Sequence, residues 1–343
     1  VSRRWAGPAL LAVSAVVSVL AFEAIGGVIL RRALSAEHAA DVDHRLKPNP
    51  RRGVNADGIR SPHGPEHYTP ESWNLVFLGD SFTYGAYVKS EAAFPRLAGE
   101  LLGAQLGTAV KVANFGWASS SPLLSLRLLR EKGARYHPDL VVLCLDMTDF
   151  HDDLRYGRML GEGGGRRFSP TGFLIRRLGY GGALERTLRR VGLGEADLPA
   201  QRFFVTNQPL EQSRPFLAEI EANVGEIARF ARGALGADFA LVMLPRAYQY
   251  SRRETPDNWE RREYTPLGPY AREPFRWLRE LAERVDYPAF GLLDDFRDSG
   301  VFPTTFAHDP HWNEAGHRLA AAAIAKRLIE LGRSGRLRLP SGG

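Results

Sequence analysis

The chain has 343 residues, enough for one large domain or two modest ones, and 44% of them are apolar, an ordinary share for a globular core. Its formal net charge of +6 is spread among interspersed acids, without a basic tract interleaved with aromatics and without zinc-finger spacing, which argues against nucleic-acid binding. The single cysteine, Cys144, excludes an internal disulfide and, lying inside an apolar run, is expected as a core thiol.

Trp5 to Phe22 carries no charge, follows Arg3 and Arg4, and leads past Glu23 into further apolar residues that stop at Arg31-Arg32. A bilayer needs about 20 such residues, and a cleavable signal peptide has an apolar region of about 7–15. The expectation is an uncleaved transmembrane signal anchor over residues 1–32, with a signal peptide cut near Val19-Leu20-Ala21 as its rival. The body beyond is expected to be extracytoplasmic, periplasmic or cell-surface. Arg31, Arg32, Arg45 and Lys47 count against that orientation, but long domains translocate largely regardless of flanking charge. Residues 33–72, with Pro48, Pro50, Pro62, Pro65 and Pro70, read as an extended connector.

From there apolar runs and helical patterns alternate. Strands are predicted at 74–79, 109–114, 140–145, 239–244 and 289–293, and helices near 91–106, 122–133, 215–235, 270–285 and 314–331. Strands separated by helices of this length indicate a parallel sheet with crossover connections. The globular body is expected over 73–332, with insertions near 154–214 and 246–268 and a tail at 333–343. The first insertion is rich in glycine and arginine; the second carries Tyr248, Tyr250, Trp259 and Tyr264.

The run Asn74-Leu75-Val76-Phe77-Leu78-Gly79-Asp80-Ser81 has the layout of a buried strand delivering a serine to the lip of a parallel sheet, where open α/β folds keep their sites. A serine hydroxyl needs a base to attack at neutral pH. His311 is the candidate, and Asp309, two residues earlier, can fix its tautomer. Asp80 is expected to fix its own loop, as is Asn114. His308 is expected in solvent and His317 on the closing helix. Asp149, His151, Asp152 and Asp153 form an acidic cluster that reads either as a metal site or as an acidic helix N-terminus; no metal or cofactor is expected.

Gly79-Asp80-Ser81, Asn114-Phe115-Gly116, Thr148-Asp149 and Asp309-Pro310-His311 resemble, in order, the four blocks of SGNH/GDSL hydrolases. The resemblance covers roughly residues 40–332. It implies a flavodoxin-like three-layer α/β sandwich with a parallel five-stranded sheet, and a serine nucleophile that cleaves esters or transfers acyl groups. The N–H groups of Ser81 and Gly116, each just beyond a strand end, are the expected oxyanion donors, together with the Thr148 hydroxyl, which stands where the family carries an asparagine. The spacing of Asp309 and His311, followed by Trp312, resembles SGNH-like proteins that O-acetylate extracellular polysaccharides. Lys47-Pro48-Asn49 and the run from Val54 to Arg60 resemble the lead-in of membrane-anchored bacterial members. The expected function is a serine esterase or O-acyltransferase acting on O-acyl esters, acetyl foremost, of a cell-envelope or extracellular saccharide. Expected partners are an acylated saccharide or small ester, and the membrane. The alternative is a catalytically weak polysaccharide-binding or scaffold module.

Overall fold

A computed structural model describes residues 13–14, 17–25, 48–161, 199, 201–254 and 257–340. The chain divides into two units, residues 1–43 with 158–200, and residues 44–157 with 201–343. The second unit contains the sheet. Its elements are β1 (Trp73–Leu78), the single-turn α1 (Ser81–Tyr84), α2 (Phe94–Leu106), β2 (Val110–Asn114), α3 (Pro122–Lys132), β3 (Leu140–Leu145) and α4 (Asp149–Gly161), the last running on into the first unit. After these come α5 (Leu217–Ala234), β4 (Asp238–Met243), α6 (Glu273–Ala282), β5 (Ala289–Gly291), α7 (Leu293–Asp298), β6 (Thr305–Phe306), β7 (Asp309–Trp312) and α8 (Glu314–Arg333).

Five strands form one parallel sheet in the order β2-β1-β3-β4-β5. This is the flavodoxin-like order, whose switch point lies between β1 and β3. β1 and β3 are buried on both faces, which is why their sequences read as continuous apolar runs rather than alternating ones. Period-two alternation still sorts their side chains: Leu75 and Phe77 of β1, Leu140, Val142 and Cys144 of β3, and Ala240 and Val242 of β4 share one core with Phe94, Ala98 and Leu102 of α2 and with Ala320, Ile324 and Leu328 of α8. α2 and α8 pack together on that face. α3 and α5 pack together on the other, where Trp277 of α6 donates to Glu221 of α5. The expected three-layer sandwich with a five-stranded parallel sheet is the fold, and Cys144 is buried in it.

The expected membrane anchor is corrected. Among the described residues no helix is long and apolar enough to cross a membrane. Residues 17–25 are helical, and nine residues at 1.5 Å each reach about 14 Å, against a hydrocarbon core of about 30 Å. The other parts of the proposed span, 6–12, 15–16 and 26–30, lie outside the described residues, apart from the helical pair 13–14. The transmembrane helix, the membrane as a partner, and the single-pass extracytoplasmic placement that rested on them are withdrawn.

Two further differences matter for the site. The irregular stretch expected from 154 begins as helix, α4 continuing to Gly161; residues 162–198 and 200 lie outside the described residues. The segment leading through His311, where no strand is predicted, is an antiparallel hairpin of β6 and β7. Residues 48–72 are also tied to the sheet. Arg60 bridges Asn114, its N–H donating to the Asn114 carbonyl at 3.1 Å, and the Tyr68 hydroxyl donates to the Val112 carbonyl at 2.7 Å. Together they cover the edge of β2, which would otherwise present unpaired backbone groups.

Phe77 is fully buried at the centre of β1 and meets the ring of Phe94 edge-on, with centroids 5.8 Å apart. Phe77→Ala is expected to lower unfolding stability by about 3–5 kcal/mol, read as a shifted urea midpoint with an unchanged slope.

Candidate active site

β1 ends in a glycine because the chain must turn under it. Gly79 has φ +151°, and a side chain there would collide with the Thr83 side chain and the Cys144 carbonyl. Asp80 then caps α1, its Oδ1 accepting from the Phe82 N–H at 2.9 Å. Ser81 therefore sits at the first position of a single helical turn. Its N–H is among the helix N-terminal donors without a partner inside the helix. The turn ends at Gly85 in the left-handed conformation. Gly116, just past β2, lies so close that a Cβ would strike Tyr84 N and Thr83 C, so the second block needs its glycine to let α1 approach the sheet.

The other two side chains of the site come from β7. In a strand, residues two apart share a face, and this fixes the meaning of the Asp309–His311 spacing: both side chains face Ser81. The intervening Pro310 and the following Trp312 are buried on the other face. Trp312 stacks on Phe296 at 4.6 Å and meets Phe82 edge-on at 5.1 Å. Glu254 holds the hairpin from behind, its carboxylate accepting from the N–H and hydroxyl groups of both Thr304 and Thr305. Asn313 then caps α8, accepting from the Ala315 and Gly316 N–H groups.

The result is a line of three side chains. His311 Nε2 lies 2.8 Å from Ser81 Oγ, and His311 Nδ1 lies 2.5 Å from Asp309 Oδ1. The same carboxylate oxygen accepts the His311 backbone N–H at 2.9 Å. Burial works against the Asp309 charge, but the ring and backbone donors of His311 outweigh it and hold the carboxyl below its usual pKa. Such an array can take a proton from the serine hydroxyl as it attacks and stabilise the imidazolium that forms.

The other expected oxyanion donors are differently engaged. The Gly116 N–H donates to Asn114 Oδ1 at 2.9 Å, while Asn114 Nδ2 donates to the Thr83 carbonyl at 2.8 Å. Asn114 thus ties its own loop to α1, as expected of it. The Thr148 hydroxyl, buried, donates to Asp146 Oδ2 at 2.7 Å, and its N–H reaches the same oxygen at 3.0 Å. Thr148 is brought to the ends of the strands but its hydroxyl proton is already placed.

Behind Ser81 lies a buried ionic network that the sequence did not announce. Arg246, beyond the end of β4, donates two bonds of 2.6 Å to the two oxygens of Asp146 and a third, of 2.5 Å, to Glu260. Its guanidinium lies 4.7 Å from the ring centroid of Phe82, the residue after Ser81. Burial alone would raise the Asp146 carboxyl, but the bidentate Arg246 contact holds it well below the usual range. Asp80 and Asp149 are pushed up instead, first by burial and then by the neighbouring carboxylates, because one arginine cannot neutralise them all. The only available signal was position: an arginine just past a strand end, where α/β folds collect functional groups.

Of the acidic cluster, Asp149 accepts the Asp146 N–H, Asp152 pairs with Arg202 at 2.6 Å, and Asp153 accepts from the Leu123 N–H and Asn223. Among the described residues no cluster of His, Cys, Asp and Glu is arranged to hold a metal ion. His308 is exposed. His317 is buried on α8 and accepts the Phe94 N–H through Nδ1 at 3.3 Å. Burial, with the charge of Arg60 and the His311 ring nearby, pushes its pKa down to about 3. In the segment 246–268, Tyr248 is buried and stacks on Tyr264, whereas Trp259 is 60% exposed. The Trp259 indole N–H points to Asp309 Oδ2 at a long 3.4 Å. Tyr87, 72% exposed, stands edge-on to His311 with centroids 5.5 Å apart, so exposed aromatic rings flank both ends of the His–Asp pair.

Residues 77–319 match the GDSL-like lipase/acylhydrolase family. No curated protein matches the sequence. Among solved structures, TesA shares 16% identity with a TM-score of 0.43, over 75% of this chain and 99% of that one. A two-domain esterase active on acetylated mannans, crystallised with mannopentaose, shares 13% identity with a TM-score of 0.44, over 79% of this chain and 52% of that one. Axe2, an acetylxylan esterase from Geobacillus stearothermophilus, shares 15% identity with a TM-score of 0.39, over 76% and 96%. The matching family is one of lipases and acylhydrolases, so the expected kinship of the histidine block with polysaccharide O-acetyltransferases is withdrawn, as is the membrane-anchored subgroup.

Two predictions arise from these contacts. Thr148→Val is expected to leave kcat on p-nitrophenyl acetate within about threefold of the parent, because its hydroxyl serves Asp146; an oxyanion donor would cost about 10²–10³ on removal. His317 stays neutral in the folded chain while an unfolded histidine protonates near 6.5, so unfolding stability is expected to fall as pH drops from 6.5 towards 3, by at most about 5 kcal/mol. His317→Asn should flatten that slope in urea titrations across the same range.

Proposed function

The chain belongs to the GDSL-like lipase/acylhydrolase family, an enzyme family acting on esters, and from that membership we propose that Ser81, His311 and Asp309 carry its acyl chemistry on O-acylated saccharides. The observation that carries the first half of this reading is the hydrogen-bonded line from Ser81 Oγ through His311 to Asp309. Ser81 Oγ attacks the ester carbonyl while His311 Nε2 takes its proton. Asp309 keeps the remaining ring proton on Nδ1 and balances the imidazolium charge. The tetrahedral oxyanion faces the Ser81 N–H, with the Gly116 N–H shared between it and Asn114 Oδ1. Collapse expels the alkoxide, which receives its proton from His311 and leaves an acyl-serine. Water then attacks in the reverse sense to give the acid; a sugar hydroxyl in its place gives transfer.

Trp259 and Tyr87 support the saccharide half. Each is a large exposed ring held beside the His–Asp pair, the arrangement that lets an aromatic face lie against the C–H face of a pyranose while its polar edge remains wet. A short acyl group would reach Ser81 while the sugar lay across the rings.

With p-nitrophenyl acetate, Ser81→Ala and His311→Ala are expected to fall to the background rate, and Asp309→Asn to lose about 10³–10⁴ in kcat through the wrong tautomer. Parent-like turnover in Ser81→Ala would sink the assignment. On an acetylated oligosaccharide, Trp259→Ala should raise KM for acetate release while leaving KM for p-nitrophenyl acetate unchanged; equal effects on both substrates would remove the saccharide half alone.

A further inference from the structure

The segment before β1 sends one side chain to the end of the turn that carries the candidate nucleophile. Arg60 is 6% exposed and bridges Asn114 through its backbone. Its Nη1 donates to the carbonyls of Tyr84 at 2.6 Å and Gly85 at 2.7 Å, and its Nη2 donates to the carbonyl of Val88 at 2.6 Å. The guanidinium also lies over the Tyr84 ring, 4.2 Å from its centroid. No carboxylate is bonded to it among the described residues. A buried cation held by carbonyls alone, with its Nε left without a hydrogen-bond partner among those residues, is costly to keep, since its desolvation is repaid only by good geometry.

The carbonyls it holds explain the expense. Tyr84 closes α1, and Tyr84 and Gly85 offer the acceptors left over at the end of that turn. Val88 lies beyond Tyr87, a non-glycine residue at φ +66°. That conformation is disfavoured for a residue with a Cβ and persists only where its surroundings enforce it. Asn114, paired to Arg60 through the backbone, holds the Thr83 carbonyl. Two adjacent residues therefore fix the carbonyls of Thr83, Tyr84, Gly85 and Val88, and with them both the Ser81 turn and the loop that sets Tyr87 against His311.

We propose that Arg60 is a positioning residue for acyl transfer: by clamping the carbonyls of Tyr84, Gly85 and Val88 it sets the Ser81 hydroxyl and the Tyr87 ring relative to His311. The proposal rests on the reading of Ser81 as nucleophile. A lysine offers three donors from a single point rather than a planar fork, so it reproduces the clamp only in part.

The test uses Arg60→Ala and Arg60→Lys in the full chain, with Ser81→Ala beside them. Turnover of p-nitrophenyl acetate gives kcat and KM, a fluorophosphonate probe gives the rate of serine labelling, and circular dichroism melts report folding. Arg60→Ala is expected to lower kcat and labelling together by about 100-fold, the scale of a misplacement of about 1 Å, with little change in KM. Millimolar guanidinium, far below the molar range that unfolds proteins, should restore at least tenfold in Arg60→Ala and do nothing for the parent; equal millimolar sodium chloride should restore nothing. Arg60→Lys should fall between the two. Folded variants with parent-like kcat and labelling, or a deficit that guanidinium leaves untouched, would overturn the role. Should Arg60→Ala not fold, a folded Arg60→Lys with full kcat would overturn it and one with a reduced kcat and slowed labelling would sustain it. Labelling that survives in Ser81→Ala would instead mean that the underlying site reading is wrong.

Discussion

α1 contains a single helical turn, and isolated helices of that length do not persist in water. Its shape is imposed from outside at every point. Gly79 permits the entry angle and the Asp80 carboxyl closes the first turn. Gly116 leaves room for close approach to the sheet. Asn114 and Arg60 hold the carbonyls that follow, and Arg246 lies against the ring of Phe82 beneath. The serine is placed less by its own segment than by groups from residues 60, 114 and 246. That division is physically sensible, because a strained or otherwise unsupported turn holds its geometry only when several independent contacts determine it.

The two buried arginines around this turn solve the same electrostatic problem differently. Arg246 is bonded to the carboxylates of Asp146 and Glu260, so its charge is matched and the cost of burial falls on the surplus carboxyls, Asp80 and Asp149, which are driven towards their neutral forms. Arg60 faces peptide carbonyls and an aromatic face, so its charge is spread over dipoles and burial lowers its pKa. One arginine thereby organises the buried charges behind Ser81, and the other organises backbone.

Much of the sheet could be read from the sequence because doubly buried strands leave an apolar run bounded by polar residues. β3, Leu140–Leu145, has the predicted limits, and β1 differs from its prediction by one residue at each end. Ser81, His311 and Asp309 were visible because a strand end and a short spacing point to them, and the structure brings the three together. The β6–β7 hairpin was not visible, since strands of two and four residues give no period to detect. Arg246 and Arg60 were invisible as functional groups for a related reason: a single cation in a polar stretch looks the same whether it meets solvent or a buried partner. The anchor failed because hydropathy over 6–30 reports composition, whereas the described helix there covers too few residues to span a bilayer.

The placement of Asp309 and His311 on one face of β7 has a mechanical consequence. Both belong to one short strand, braced by Glu254 and by the cap of α8, so small displacements of the hairpin carry them together. Their mutual distance is an internal coordinate of a rigid piece. The distance from His311 to Ser81, which lies on a different rigid piece 230 residues away in sequence, is the coordinate left free to vary. A displacement of the hairpin as a unit would change how closely the hydroxyl meets its base and leave the His311–Asp309 pair intact.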